Sequence, residues 1–261
     1  MLGLVTDQQG GATDAAGLRG FWRRRRCPLE RMTLGQLLAA FVRHPAVAAY
    51  LALAAVSALL VALLRAPGDG PGLVIAAGAA LLIYPPAEYL LHRFVLHGRF
   101  LYRSPRTVTL WKRIHYDHHH DPDDLRVLFG ALPTTLPTVA LATLPTGALI
   151  AGAAGAAATF GAGALCMLVY EFVHCVQHLP YAPRTRLLRR LKRHHMLHHR
   201  HSERGNFGIT SSLVDHLAGT YYPRASAVPR SPTAFDLGYT AAERVRYPWL
   251  AERSEPGAPG R

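Results

Sequence analysis

The chain has 261 residues, half of them hydrophobic, with 29 Lys and Arg against 16 Asp and Glu for a formal charge of +13. Its mean hydropathy is +0.10, which so basic a chain reaches only by separating long uncharged apolar runs from arginine-dense segments; that argues against an ordinary soluble domain. The arginines flank apolar runs instead of forming a free-standing patch, so they suit anionic headgroups and not nucleic acid, and three dispersed cysteines exclude a disulfide framework.

Residues 1–44 read as a basic cytoplasmic segment, with the run Arg23 to Arg26 and a mildly amphipathic stretch from Met32 to Val42 suited to the membrane surface. The first apolar run begins too late for a cleavable signal and is expected to stay as an anchor. Ala46 to Leu64 is long enough to cross a ~30 Å hydrocarbon core. A turn carrying Arg65, Pro67, Asp69 and Pro71 leads into a second span over Leu73 to Leu91, expected to kink near its exit at Pro85 and Pro86.

From His92 to Arg126 the chain is polar, basic and aromatic. Val127 to Tyr170 then lacks any charged residue, too long a run for one crossing. It suits two spans, at 127–149 and 156–176, joined in the Gly/Ala-rich stretch between Gly152 and Gly163; Pro133, Pro137 and Pro145 make the first of them irregular, even re-entrant. Arg184 to His201 reads as an interfacial helix, Gly205 to Tyr222 as a compact cap, and the tail from 223 to 261 as mostly surface.

The expected fold is therefore an all-α integral membrane protein: four transmembrane helices in a domain spanning 45–222, capped by histidine-rich helices from 92–126 and 179–222. Arginine is concentrated at the termini and in the cap, so the positive-inside rule puts both termini and the histidines in the cytoplasm, with a bacterial plasma membrane as the expected location.

Ten of the fifteen histidines follow a plan. His115, His118 and His119, and again His195, His198 and His199, stand at i, i+3 and i+4, on one face of a regular helix. His174 and His178 share a helix face, whereas His92 and His97, five apart, diverge by about 140° on a regular helix and either serve different metals or sit where the helix unwinds. A metal takes four to six ligands, so ten imidazoles imply two metals. Imidazole suits iron, zinc, copper or nickel, and a site at a membrane edge suits redox work on a lipid, for which iron fits and zinc does not. Glu88, Asp117, Asp121, Asp124, Glu171 and Asp215 are candidates to fix imidazole tautomers. His44, His120, His194 and His201 read as interface, supporting or solvated residues, and His216 as either packed or a further ligand.

The stretches EYLLHRFVLH from Glu88, HYDHHHDPDDLRVLF from His115, YEFVHCVQH from Tyr170 and LKRHHMLHHRHSERGNFGITSSLVDHLAGTYY from Leu191 are similar to the fatty acid hydroxylase and sterol desaturase superfamily, and most to its fatty acid 2-hydroxylase branch. The resemblance implies an oxygenase that uses O2 and two electrons to place a hydroxyl on carbon 2 of a long acyl chain, free or within a sphingolipid. It implies two iron ions as cofactors, with zinc able to replace them in a preparation, held by His92, His97, His115, His118, His119, His174, His178, His195, His198 and His199. It marks Tyr170 and Glu171 as candidate catalytic side chains, with Asp117 beside them, although the family more often has aspartate where Glu171 stands. Since no cytochrome b5 domain is recognisable, the electrons are expected from a separate donor, a ferredoxin or a cytochrome b5-like protein with its reductase.

Sterol desaturase-like or carotenoid hydroxylase activity would use similar histidine boxes. A metal transporter would place its ligands near the bilayer midplane, whereas these triplets fall outside every apolar run. A structural zinc site closes with four ligands and does not need ten.

Overall fold

The computed structural model describes residues 27–252; the Arg23 to Arg26 run lies outside the described residues. Among these the secondary structure is helical, with no strand and an isolated bridge between Pro28 and Asp124. Among the described residues five helices exceed eight residues: α1 (Leu34–Val42), α2 (Pro45–Leu64), α3 (Gly70–Leu90), α4 (Leu132–His178) and α5 (Arg186–Arg200).

Local chemistry sets their starts. Thr33 and Gln36 form a reciprocal capping box at α1, the Gln36 amide donating to the Thr33 hydroxyl and the Thr33 amide to the Gln36 side chain. His44 caps α2 through Nδ1, which accepts from the Ala46 amide at 3.2 Å, and Pro45 takes the first helical position. The Thr185 hydroxyl accepts from the Leu188 amide at 3.3 Å to start α5.

Among the described residues three helices are long and apolar enough to cross a membrane: Pro45–Leu64, Gly70–Leu96 when the segment after α3 is included, and Leu132–His178. Leu63, Val74, Leu82, Leu141 and Leu149 stand exposed on them, as lipid-facing leucines and valines do. α4 is 47 residues long but not one rod. It turns back at Ala151 and Gly152, where Gly152 takes φ +58°, a conformation that favours glycine. The arms 132–150 and 153–178 then press together so closely that a Cβ on Gly147 would fall on the Gly155 carbonyl. The turn lies at the very start of the stretch in which the sequence places it, and the first arm starts at Leu132, five residues later than the expected 127, because Leu125–Val127 forms a 3-10 turn.

α3 passes through Pro85 and Pro86 as continuous helix and then changes pitch: Leu91–Leu96 is a π-helical turn, closed by a hydrogen bond from the His97 amide to the His92 carbonyl at 3.0 Å. A second π turn, Lys112–Tyr116, precedes the short helix Asp117–His120.

Two cores result. One joins α1, through Leu37 and Phe41, to Tyr50, Phe129, Met167 and Cys175. The other packs Tyr102, Trp111 and Tyr116 against Leu237, Tyr239 and Leu250. The second core draws part of the C-terminal region inward: residues 231–239 are mostly buried and carry aromatic and leucine contacts to the cap, while residues 223–230 and most of 240–249 stay at the surface, as the sequence reading expects.

Candidate metal centre

The ten planned histidines converge, but not triplet by triplet. One group is His92, His97, His115, His119 and His198; the other is His118, His174, His178, His195 and His199. Within each group one ligand nitrogen per residue lies within 4.8 Å of all the others. The reading of each triplet as a single metal-binding face is thus corrected. His118 and His119 are successive on a helix and so point about 100° apart; His119 joins His115 while His118 crosses to the other group. His198 and His199 divide in the same way, with His195 staying beside His199. Each triplet is a wedge between two sites.

The five-residue spacing of His92 and His97 is resolved by the π turn, which brings residues five apart onto one side. Both belong to the first group, their rings 4.9 Å apart.

For nine of the ten the nitrogens that meet are Nε2. His115 Nε2 lies 3.0 Å from that of His92 and 3.1 Å from that of His97, and His119 Nε2 lies 3.2 Å from that of His198. In the second group His118 meets His174 at 3.1 Å and His178 meets His195 at 2.9 Å. The groups adjoin, with the His119 and His199 rings 4.1 Å apart. Burial, reinforced by neighbouring imidazoles, holds His97, His115, His118, His195, His198 and His199 well below the ordinary histidine pKa. His119 is lowered to about 3, chiefly by burial and against the opposing pull of the Ala234 carbonyl. Uncharged imidazoles with convergent lone pairs form a donor set for a transition-metal cation. His199 underlines the fit: neither of its buried ring nitrogens has a hydrogen-bond partner.

Three rings of the first group are oriented from behind by backbone. Nδ1 of His92 donates to the Phe207 carbonyl at 2.5 Å, that of His119 to Ala234 at 2.8 Å and that of His198 to Gly205 at 2.7 Å. Each bond fixes the tautomer that leaves Nε2 free for a metal. Carboxylates were expected in this role; for these three rings carbonyls take it, and the acids act one step further out. Asp215 accepts from the amides of Phe207 and Gly208, at 2.9 and 2.7 Å, and from the Thr220 hydroxyl at 2.7 Å. Glu88 accepts from the amides of Ile209 and Thr210 and from the Thr210 hydroxyl. Together they hold the 205–210 loop whose carbonyls hold the rings. Asp124 accepts from the Cys27 amide and pairs with Arg126.

Of the candidate catalytic side chains, Tyr170 borders an apolar cavity, its ring 5.6 Å from that of His174. Glu171 is buried behind the cavity wall, Oε1 accepting from the Gly130 amide at 2.9 Å, and Asp117 pairs with Lys112. The five other histidines stand outside both groups. His44 stacks on Phe129, His120 faces Asp236 at 3.6 Å, His194 bonds the Tyr221 hydroxyl, His201 the Val228 carbonyl, and His216 stacks on Tyr221.

The cavity, about 280 Å³, starts at His92, His115, His118 and His174 and descends between α3 and the two arms of α4 past Tyr84 and Met167 to Ala80, Thr143 and Gly163. Sequence reasoning missed the Gly205, Phe207 and Ala234 carbonyls. It also missed Glu203, which accepts from the Ser231 and Thr233 hydroxyls at 2.9 Å each and ties the residues before Ala234 to the end of α5.

Residues 77–220 match the model of the fatty acid hydroxylase family. The chain is 33% identical over 152 residues to the dihydroceramide fatty acyl 2-hydroxylase FAH1 of Arabidopsis thaliana, covering 58% of this chain and 62% of that protein. It is 29% identical over 144 residues to the fatty acid 2-hydroxylase of Rattus norvegicus, covering 55% and 38%. With the ceramide very long chain fatty acid hydroxylase SCS7 of Saccharomyces cerevisiae it shares 30% identity over 143 residues, covering 54% and 36%. The matched segment thus spans less than two thirds of each of these relatives. No solved structure gives a significant match.

Proposed function

Because the chain belongs to the fatty acid hydroxylase family, we propose that it is a membrane-bound oxygenase that hydroxylates a lipid acyl chain at carbon 2, as a free fatty acid or within a sphingolipid. The observation that carries this reading is the apolar cavity: it joins the imidazole groups to the depth of the membrane-spanning helices, the path an acyl chain would occupy.

The first group would hold one metal ion and the second another, and the redox requirement favours iron over zinc. When bound, the two ions supply the reduction of O2 and the oxidation of a C–H bond. The chain's own residues do the rest. The walls from Tyr84 to Met167 bind the hydrocarbon and exclude water, and the four histidines at the cavity mouth set which carbon is reached. Tyr170 is the phenol that touches the chain near that carbon. Glu171 and Asp117 act as positioning residues, the first through Gly130 in the cavity wall and the second through Lys112 at the π turn before His118.

In this reading α2, α3 and the two arms of α4 are four crossings of a membrane domain over 45–222, and both termini and the metal centre face the cytoplasm, where a ferredoxin or cytochrome b5-like donor delivers electrons. His118→Ala is expected to abolish product while leaving the protein inserted in the membrane. The test is mass spectrometry of lipids from expressing cells supplied with labelled O2: wild type gives acyl chains carrying one labelled oxygen at carbon 2. Unchanged turnover in the variant, or no labelled product from wild type, refutes the assignment.

A further inference from the structure

The cavity has a floor, and the residues that make it are specific. At its far end Ala80 from α3 and Thr143 from the first arm of α4 are 1% and 4% exposed, and Gly163 faces them from the second arm. A Cβ on Gly163 would stand 2.8 Å from Thr143 Cγ2 and 3.1 Å from Val139 Cγ1, so the two arms are in contact at that depth. Directly below, the Thr159 hydroxyl donates to the Ala76 carbonyl at 2.8 Å and to the Gly155 carbonyl at 3.0 Å. Ala76 and Thr159 are fully buried, and Gly147 packs against Gly155 and Thr159. The three helical segments therefore meet almost backbone to backbone under the cavity, and a chain running down from the imidazole end meets them there.

The depth can be read from the helix that runs alongside. From residue 80 to residue 92 α3 and its π turn rise ~18 Å at 1.5 Å per residue. An extended hydrocarbon advances roughly 1.3 Å per carbon, so that ~18 Å of helix accommodates about 14 carbons beyond the one held at the histidines.

We propose that Ala80, Thr143 and Gly163 act as a molecular ruler, selecting acyl chains of about sixteen carbons over very long ones. This rests on the acyl-chain reading of the cavity and adds to it the length of the substrate and the residues that set it. Each methylene that finds a place against apolar walls contributes about fourfold in affinity, and each one excluded loses the same.

The test separates binding from turnover. Wild type, Ala80→Leu and Thr143→Ala are reconstituted in nanodiscs with a fluorescent polyene fatty acid, which is displaced by unlabelled saturated acids of about 12 to 24 carbons. Wild type should respond best near sixteen carbons. Ala80→Leu, which raises the floor by about two methylenes, should weaken the sixteen-carbon acid roughly tenfold relative to the twelve-carbon one. Thr143→Ala should move the optimum toward longer acids, so the two variants shift in opposite directions. An unchanged ranking in both variants, a 24-carbon acid as effective as a 16-carbon one in wild type, or no displacement at any length overturns the ruler. Opposite shifts without any labelled hydroxylated product would leave the ruler standing and overturn the hydroxylase reading instead.

Discussion

Asp215→Asn isolates a layer of the centre that touches neither the converging imidazole nitrogens nor the apolar cavity. Asp215 is fully buried, and its two oxygens accept three hydrogen bonds, from the amides of Phe207 and Gly208 and from the hydroxyl of Thr220. Asparagine keeps the shape but offers one acceptor oxygen, so at least one backbone amide then faces an NH2 group. Losing a hydrogen bond to a charged acceptor costs about 1.5–3 kcal/mol, and here the loss falls on the loop whose Gly205 and Phe207 carbonyls orient His198 and His92. Such supporting contacts are worth about 10–100-fold in metal affinity. Both rings belong to the first group, so that site should release its metal to a chelator at a 10–100-fold lower concentration while the second keeps its own. The assay is metal content per protein, by mass spectrometry of the metal, across a chelator titration, with the thermal midpoint recorded alongside. A release curve that overlays that of wild type, with an unchanged midpoint, refutes the idea that the loop supports the first site.

Other perturbations probe different layers. His118→Ala and His119→Ala alter adjacent residues but should each remove about one metal per chain, from different sites, and the double variant should lose both; one shared site would make the double no worse than either single. Gly147→Ala forces a Cβ onto the Gly155 carbonyl and should destabilise by about 1–3 kcal/mol, seen as a lower thermal midpoint, whereas Gly78→Ala, with nothing within 4 Å of its new atom, should not. His44 caps α2 in its neutral form, and burial, helped by the Arg113 charge, lowers its pKa to about 4. Between about 6.5 and about 4 the unfolded chain therefore binds more protons at this residue than the folded one. Its contribution to stability is complete above that window and declines as pH falls through it; His44→Asn, which keeps a capping group, should flatten the slope, measured as thermal midpoint against pH.

What the sequence made legible follows its periodicities. Uncharged runs located the three long apolar helices, and the two i, i+3, i+4 triplets together with the pairs upstream of each, His92 with His97 and His174 with His178, picked out the ten histidines that converge. Their partition between two groups was not legible, because it depends on which edge of a 100° wedge faces which neighbour, a matter of helix packing. The π turn at Leu91–Leu96 has no residue signature of its own, so the geometry of His92 and His97 stayed open until the His97 amide was seen bonded to the His92 carbonyl. Carbonyl anchors are invisible in principle: Gly205, Phe207 and Ala234 act through atoms that every residue possesses. The acids could be singled out by their nearness to the histidines, but not that Glu88 and Asp215 would act on a loop instead of on an imidazole.

The bond between His119 and Ala234 bridges 115 positions of the chain. During synthesis, the first histidine group therefore lacks one of its three backbone anchors until the ribosome has passed residue 234, well after the last apolar helix has been made. Insertion into the bilayer and maturation of the first site are thereby separated in time, and a ribosome stalled between residues 200 and 230 would carry every converging histidine without the strap that closes over His119.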